Sequence, residues 1–226
     1  MANVIKLRKG LDVNLKGKAA KEEFQVKKPA VYALMPDDFT GMKPKVVVKE
    51  NNVVKVGDSL FVDKNHPEIK FVSPVSGRVT MVERGDRRKV LSVRVEADAE
   101  QQYVDFGKKN VGQMTAQEVK DLLLESGLFG FFRQRPYDVT ANPSDTPKAI
   151  FVSAFNSMPL AADFEYVLRG READFQAGLD ALAKMAKTYL GVSSKQTATA
   201  LTAAKNVEIN FFDGPAPAGN VGVQIN

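Results

Sequence analysis

Few side chains in this sequence can do chemistry. Cysteine is absent and histidine occurs once, so there is no thiolate nucleophile or ligand and no multi-histidine metal centre. His66 could act as a general base or a lone metal ligand, with Asp63 and Glu68 beside it. A single histidine in a polar loop is more often neither. Lys64 lies in the same stretch, "DKNHP", and a lysine on a protruding turn can carry a covalently attached cofactor. Asn156 and Ser157, in "SAFNSMPLAAD", could hold the polar head of a ligand or start a helix as caps, capping being the more ordinary role. Gly214 and Gly219, in "FFDGPAPAG", could bring backbone amides close to a ligand. Against that, the loop is neither G-x-G-x-x-G nor a Walker loop, and its two prolines remove donors a phosphate would need. Arg84, Arg87, Arg88 and Lys89 crowd the stretch "RGDRRK" and suit an anionic partner surface. No nucleophile, base and orienter can be assembled, which points to a non-catalytic docking or scaffold module.

The elements that must position these residues fall into two textures. From Ala30 to about Glu96, short apolar runs ("AVYAL", "KVVVK", "SLFV", "IKFVS", "RVTMV", "VLSVRVE") alternate with turn signals, the pattern of a small barrel or sandwich. In "VLSVRVE", Leu91, Val93 and Val95 are expected on one face and Ser92, Arg94 and Glu96 on the other. Within this region Val54-Lys55-Val56-Gly57-Asp58-Ser59-Leu60 and Ser73-Pro74-Val75-Ser76-Gly77-Arg78-Val79 resemble the two turns of lipoyl- and biotinyl-carrying domains. Such domains hold their modified lysine at the hairpin tip. Lys64 lies nearer the first turn, and His66-Pro67 takes the tip, where proline stiffens the backbone. Lys64 is therefore expected to be unmodified, with the hairpin serving a structural purpose.

Thr115 and Glu118 form a capping box ahead of "AQEVKDLLLESG", a helix expected to end at Gly127 in a left-handed conformation. A loop rich in Pro, Ser and Asp, "VTANPSDTPK", marks a boundary. Beyond it, strands are expected at 149–155, 187–193 and 207–212. A long helix over 172–186 and a short one near 194–205 separate them, as in a parallel sheet with crossovers. The expected domains are a basic extended arm (1–29, with a short strand at Val4–Leu7), a barrel-sandwich hybrid domain (30–100), a connecting helix and linker (101–147) and an incomplete Rossmann-like α/β domain (148–226). Three strands with no closing element suggest a fragment of something longer, or a partner that completes it.

Composition narrows the partners. The chain has 226 residues, with a formal charge of +5, and its cations gather in the first part. Acidic subunits or an anionic membrane surface fit that charge, and nucleic acid fits it least, because no reader motif accompanies it; for charge alone a solvated basic face with no partner is the ordinary reading. No apolar run is long enough to span a bilayer.

The blocks "IKLRKGLDVNLKGK", "DFTGMKPKVVVKENNVVKVGDSLFVDKNHPEIKFVSPVSGRV", "LLLESGLFGFFRQRPYD", "TPKAIFVSAFNSMPLAADFE" and "FDGPAPAG" follow in order from Ile5 to Gly219. Together they resemble the A subunit of the bacterial sodium-translocating NADH:quinone oxidoreductases. The resemblance implies a peripheral subunit on the cytoplasmic face of the inner membrane, in a complex that passes electrons from NADH to ubiquinone and moves sodium outward. It implies that NADH, flavins and iron–sulfur clusters belong to other subunits, and that this chain binds none of them. Ubiquinone is left as a ligand of the full-length protein. It further implies a docking role supporting quinone reduction, with the other subunits as partners. A soluble flavin- or dinucleotide-binding oxidoreductase is the alternative. The related component of the ferredoxin-dependent ion pump carries cysteine motifs that are missing here.

Overall fold

The computed structural model describes residues 4–17 and 20–226. The parts of the expected arm at 1–3 and 18–19 lie outside the described residues. The chain divides into two compact units, one of residues 25–109 and 120–146, the other of 1–24, 110–119 and 147–226. Strand β1 (Val4–Lys6) belongs to the second.

The first unit is a barrel-sandwich. Strands β2 (Val31–Leu34), β4 (Val53–Val54), β7 (Gly77–Arg84) and β8 (Val90–Ala97) form one antiparallel sheet in the order β2-β8-β7-β4. Strands β3 (Pro44–Val46), β5 (Ser59–Asp63) and β6 (Lys70–Val72) form a second, in the order β3-β5-β6. Both sheets contribute to one core, in which Leu60, Phe61, Val79 and Val93 are wholly buried. Phe61 stacks on Phe71 with ring centroids 5.1 Å apart, and Phe39 meets Phe71 at 4.4 Å. Such ring pairs add about 0.5–1.5 kcal/mol beyond the area they bury.

The two signature turns bond to each other. The Gly57 amide donates to the Ser73 carbonyl (3.0 Å), and the Ser73 amide to the Asp58 carbonyl (2.8 Å). The Asp58 carboxylate holds its own turn through the Lys55 amide (2.6 Å), and the buried Ser73 hydroxyl donates to the Val75 carbonyl (2.6 Å). Their residue types are thus explained by closing the barrel.

The expected alternation along β8 fails at one end. Leu91 is exposed and Ser92 is buried. The reason is a bulge: Glu83 pairs with Ser92 and Arg84 with Val90, so Leu91 is an extra, unpaired residue. Val90, before it, takes the inner face instead, and Ser92 is covered by the side chains of Glu83 and Arg94, which both meet its hydroxyl. Val93 and Val95 remain inside as expected.

A helix, α1 (Ala116–Glu125), follows the barrel strands. Its capping box is in place: the Thr115 amide donates to Glu118 Oε2 (2.8 Å) and the Glu118 amide to Thr115 Oγ1 (3.3 Å). Leu123 and Leu124 pack against the barrel core, and Gly127 takes φ +76° just after the helix. Two short strands, β9 (Arg133–Gln134) and β10 (Val139–Thr140), make a hairpin.

The second unit is α/β. Strands β11 (Ile150–Ala154), β12 (Thr188–Ser193) and β13 (Glu208–Asp213) run parallel, and β1 adds beside β13, giving the order β1-β13-β12-β11. Helices α2 (Phe164–Leu168), α3 (Glu172–Met185) and α4 (Thr199–Thr202) connect the strands, and α5 (Val221–Ile225) follows. Leu190, Val192, Leu179, Leu201 and Ala154 form its core. The four strands include the segment at Val4–Lys6, whose three residues carry no strong period of their own. Parallel pairing with Phe211–Asp213 fixes it.

Candidate functional site

The β5–β6 tip places Lys64 on its flank. The Lys64 backbone amide donates to the Lys43 carbonyl at 2.7 Å, tying it to the strand beside it. Asp63 is buried, and its Oδ1 accepts from the amides of Asn65 (3.0 Å) and Lys43 (3.2 Å). That carboxylate is committed to the backbone, so it is not free to orient His66. His66 Nδ1 lies 3.8 Å from Glu68 Oε1, a long contact between partly exposed groups. Among the described residues no three His, Cys, Asp or Glu side chains gather as a metal site. The tip has the hydrogen bonding of a stiff turn.

The marked loops of the α/β unit do come together. Gly219 donates its amide to Ser157 Oγ (3.0 Å). A Cβ on Gly219 would meet the Ser157 amide nitrogen and lie 2.7 Å from Asn156 Cα. Gly214, at φ +145°, faces Leu7, whose carbonyl oxygen a Cβ there would strike. Both glycines are therefore required by close backbone packing within the chain.

The loop's donors are also committed. Ala216 donates to Asp12 Oδ1 (2.8 Å), Ala218 to the Pro215 carbonyl (2.9 Å) and Asn220 to the Pro217 carbonyl (2.8 Å). With Gly219 engaged by Ser157 and two positions filled by proline, among the described residues of the loop only the Gly214 amide has no acceptor within the chain. A phosphate cradle needs several convergent amides.

Asn156 and Ser157 start no helix, contrary to the expected capping. Asn156 Oδ1 accepts from the Met158 amide (2.9 Å) in a local turn. The next helix, α2, is capped by Asp163, whose Oδ1 accepts from Glu165 (3.1 Å) and Tyr166 (3.3 Å). Its other oxygen pairs with Lys21 at 2.7 Å. The Lys21 ammonium and the Tyr166 amide hold the Asp163 carboxyl below the usual range. Ser, Thr, Asp or Asn ahead of a short apolar helix is a readable cap signal; "ADFEYVL" carries it, directly before the helix where "FNS" does not stand. A hollow of about 290 Å³ beside α2 and α4 is lined by Glu165, Arg169, Glu172 and Thr199. A second, of about 460 Å³, is lined by Lys187 and Glu208, which already pair with each other at 2.8 Å.

The basic stretch is the β7–β8 hairpin tip. Arg87 and Arg88 both take left-handed backbone, φ +53° and +61°, in a turn closed by the Lys89 amide on the Asp86 carbonyl (3.1 Å). Arg84 reaches the Arg88 carbonyl (3.3 Å), and Lys89 pairs with Asp37 at 2.7 Å. Arg84, Arg87 and Arg88 have no acidic partner among the described residues. Three of the four cations thus present free charge, and Lys89 does not.

Residues 5–98 match the family described as the NqrA N-terminal barrel-sandwich hybrid domain, and residues 114–226 match the NqrA second alpha/beta domain. This chain belongs to the NqrA family. It is 35% identical over 229 residues to the A subunit of the Na(+)-translocating NADH-quinone reductase of Yersinia pseudotuberculosis, an alignment that covers 99% of this chain and 51% of that protein. The proteins of the same name from Serratia proteamaculans (36%) and Pseudomonas aeruginosa (33%) align over 99% of the chain as well, and over 51% and 50% of their own lengths. The chain therefore spans about half the length of the curated relatives it matches. The two matched domains of the NqrA family are the two folds described above. Among the described residues no helix is long and apolar enough to cross a membrane.

Proposed function

We propose that this chain works as a peripheral docking subunit of a sodium-translocating NADH–quinone reductase, at the cytoplasmic face of the inner membrane. In this reading it supports quinone reduction, while NADH, flavins and iron–sulfur clusters sit on other subunits. Catalysis belongs to the assembled complex. Ubiquinone is a ligand of the full-length protein, and the free cations Arg84, Arg87 and Arg88 face acidic partner surfaces or anionic lipid. Alignment to NqrA proteins over 99% of the chain supports the assignment to this complex.

One observation carries the docking role. The glycine loop at the carboxyl end of the parallel sheet, where open α/β sheets usually bind ligands, has four amides committed to Asp12, Ser157, Pro215 and Pro217. The loop is built to hold the chain's own N-terminal segment and the Asn156–Ser157 turn.

The test compares complexes purified with and without the full-length protein. Loss of sodium-dependent quinone reduction, with NADH oxidation by an artificial acceptor retained, is the expected result. Oxidation of NADH by the isolated polypeptide, or a stoichiometric flavin titration on it, would favour the soluble oxidoreductase reading instead. Mass spectrometry of protein from its native host is expected to show Lys64 without a lipoyl or biotinyl adduct.

A further inference from the structure

The N-terminal segment presents an edge that no other described strand covers. Strand β1 pairs with β13 on one side, and among the described residues nothing pairs with it on the other. Val4 and Ile5 are 39% and 40% exposed. The segment is then pinned to the loop after β13: the Leu7 amide donates to the Asp213 carbonyl (2.8 Å), the Leu11 amide to the Ala216 carbonyl (3.0 Å), and Asp12 accepts from Ala216. Beyond that point, Asn14 to Gly17 make no hydrogen bond among the described residues.

The side chains there are not those of a solvated loop. Leu11, Val13 and Leu15 are 81%, 61% and 52% exposed. They alternate with Asp12, Asn14 and Lys16, so paired as a strand they share one face. Four cations, Lys6, Arg8, Lys9 and Lys16, accompany them without an acidic partner among the described residues. The single acid of the stretch, Asp12, is turned to the chain's own loop.

We propose that the outer edge of β1 and its continuation through Lys16 dock an extended strand from a partner polypeptide. That strand carries apolar residues at alternate positions and acidic residues between or beside them. Strand addition supplies main-chain partners to the open edge, pockets for alternate side chains and charge complementarity to the four cations. A lipid surface would meet the charge and the apolar side chains as well, but its mobile headgroups and water do not present the regularly spaced donors and acceptors that a strand edge pairs with in register. A protein strand is the occupant that answers all three features.

This inference rests on the docking role proposed above, and the test separates the two. Amide hydrogen exchange is measured on residues 4–17 of the full-length protein, free and in the native membrane complex. A photo-crosslinking phenylalanine analogue replaces Val13 in a parallel sample. Exchange at residues 13–17 is expected to slow about tenfold or more in the complex, the mark of paired amides. The crosslink is expected to map to an acidic, alternating segment of a partner subunit. Val13→Pro, which removes a donor and disfavours strand pairing, is expected to lower retention in the complex about tenfold. Val13→Thr, which keeps strand geometry, is expected to preserve retention. Recovery of a complex containing the protein with unchanged exchange, or with crosslinks to lipid alone, overturns the strand edge and leaves the docking role standing. Failure of the unmodified protein to enter any membrane complex overturns both.

Discussion

Gly77 is the residue of the second signature turn where a methyl group should do the most harm. It opens β7 at φ +155°. A Cβ there would run into the carbonyl oxygen of Glu96 and lie 2.8 Å from the Glu96 carbonyl carbon and 3.1 Å from Ala97 Cα. These atoms are backbone of β8, so no side chain can rotate away. Shifting β7 the other way is blocked too, since Gly77 also pairs with Val54 of β4. For Gly77→Ala, the unfavourable dihedral costs about 1–3 kcal/mol, and parting the strands weakens a ladder hydrogen bond worth about 1 kcal/mol. The expected loss is thus about 3 kcal/mol, and at roughly 4–8 °C per kcal/mol for a small domain it lowers the barrel transition by on the order of 15 °C. Calorimetry and urea unfolding read this directly. Gly178→Ala is the control: Gly178 lies exposed in α3 with nothing within 4 Å of an added Cβ, so the same change should raise stability by about 0.5–1 kcal/mol. A Gly77→Ala loss under about 1 kcal/mol, or a change equal to the control's in sign and size, refutes the close-approach argument.

The remaining expectations concern charge and turns. The Ser92 hydroxyl (2.7 Å) and the Arg94 guanidinium (2.7 Å) hold the Glu83 carboxyl below its ordinary value. A depressed carboxyl stabilises the fold above its unfolded pKa and loses that contribution as pH falls through the folded value. Urea midpoints of the parent and Glu83→Gln should therefore converge as pH drops from about 6 to about 3; a gap independent of pH rules this out. Arg87→Asn with Arg88→Gly relieves two left-handed arginines and should raise stability by roughly 1 kcal/mol, with no gain in urea midpoint counting against the turn assignment. Replacing Arg84, Arg87 and Arg88 by Glu should weaken co-purification with membrane subunits most at low salt, where charge is least screened. Lys89 is left intact to spare its pair with Asp37, and unchanged recovery would sink the idea. Asp163→Ala should destabilise α2 locally by about 1 kcal/mol and speed its amide exchange, whereas Asp163→Asn keeps the cap and should change it little.

What could be seen in the sequence was what a local pattern determines. The capping box at Thr115 and Glu118, the long helix, the three parallel strands and the two signature turns each follow from residue types a few positions apart. Leu91 escaped because a bulge is decided by the pairing of two strands, and nothing within "VLSVRVE" marks which residue is left over. Asn156 escaped because two cap-like residues stood within ten positions of α2, and only the backbone path picks Asp163. The site was legible in its members and not in its reason. Ser157 and Gly219 were marked from loop chemistry, yet their contact spans 62 positions, and the Asp12 contact with Ala216 spans 204.

That long-range contact also changes what the glycine loop means. Glycines at the end of a parallel strand are usually explained by the room they leave for a ligand. Here the room beside Gly214 is taken by Leu7 and that beside Gly219 by the Asn156–Ser157 turn. The same residue type that would admit a dinucleotide instead admits the chain's own backbone. The N-terminal segment held there carries the most exposed aliphatic residues of the loop's surroundings, Leu11 among them. A loop that clamps the chain's own N-terminal segment has one physical consequence that an open ligand loop would not. The clamp fixes the path of the segment that continues the open β1 edge, through Leu7, Leu11 and Asp12, and so gives an assembling partner a defined register on which to pair.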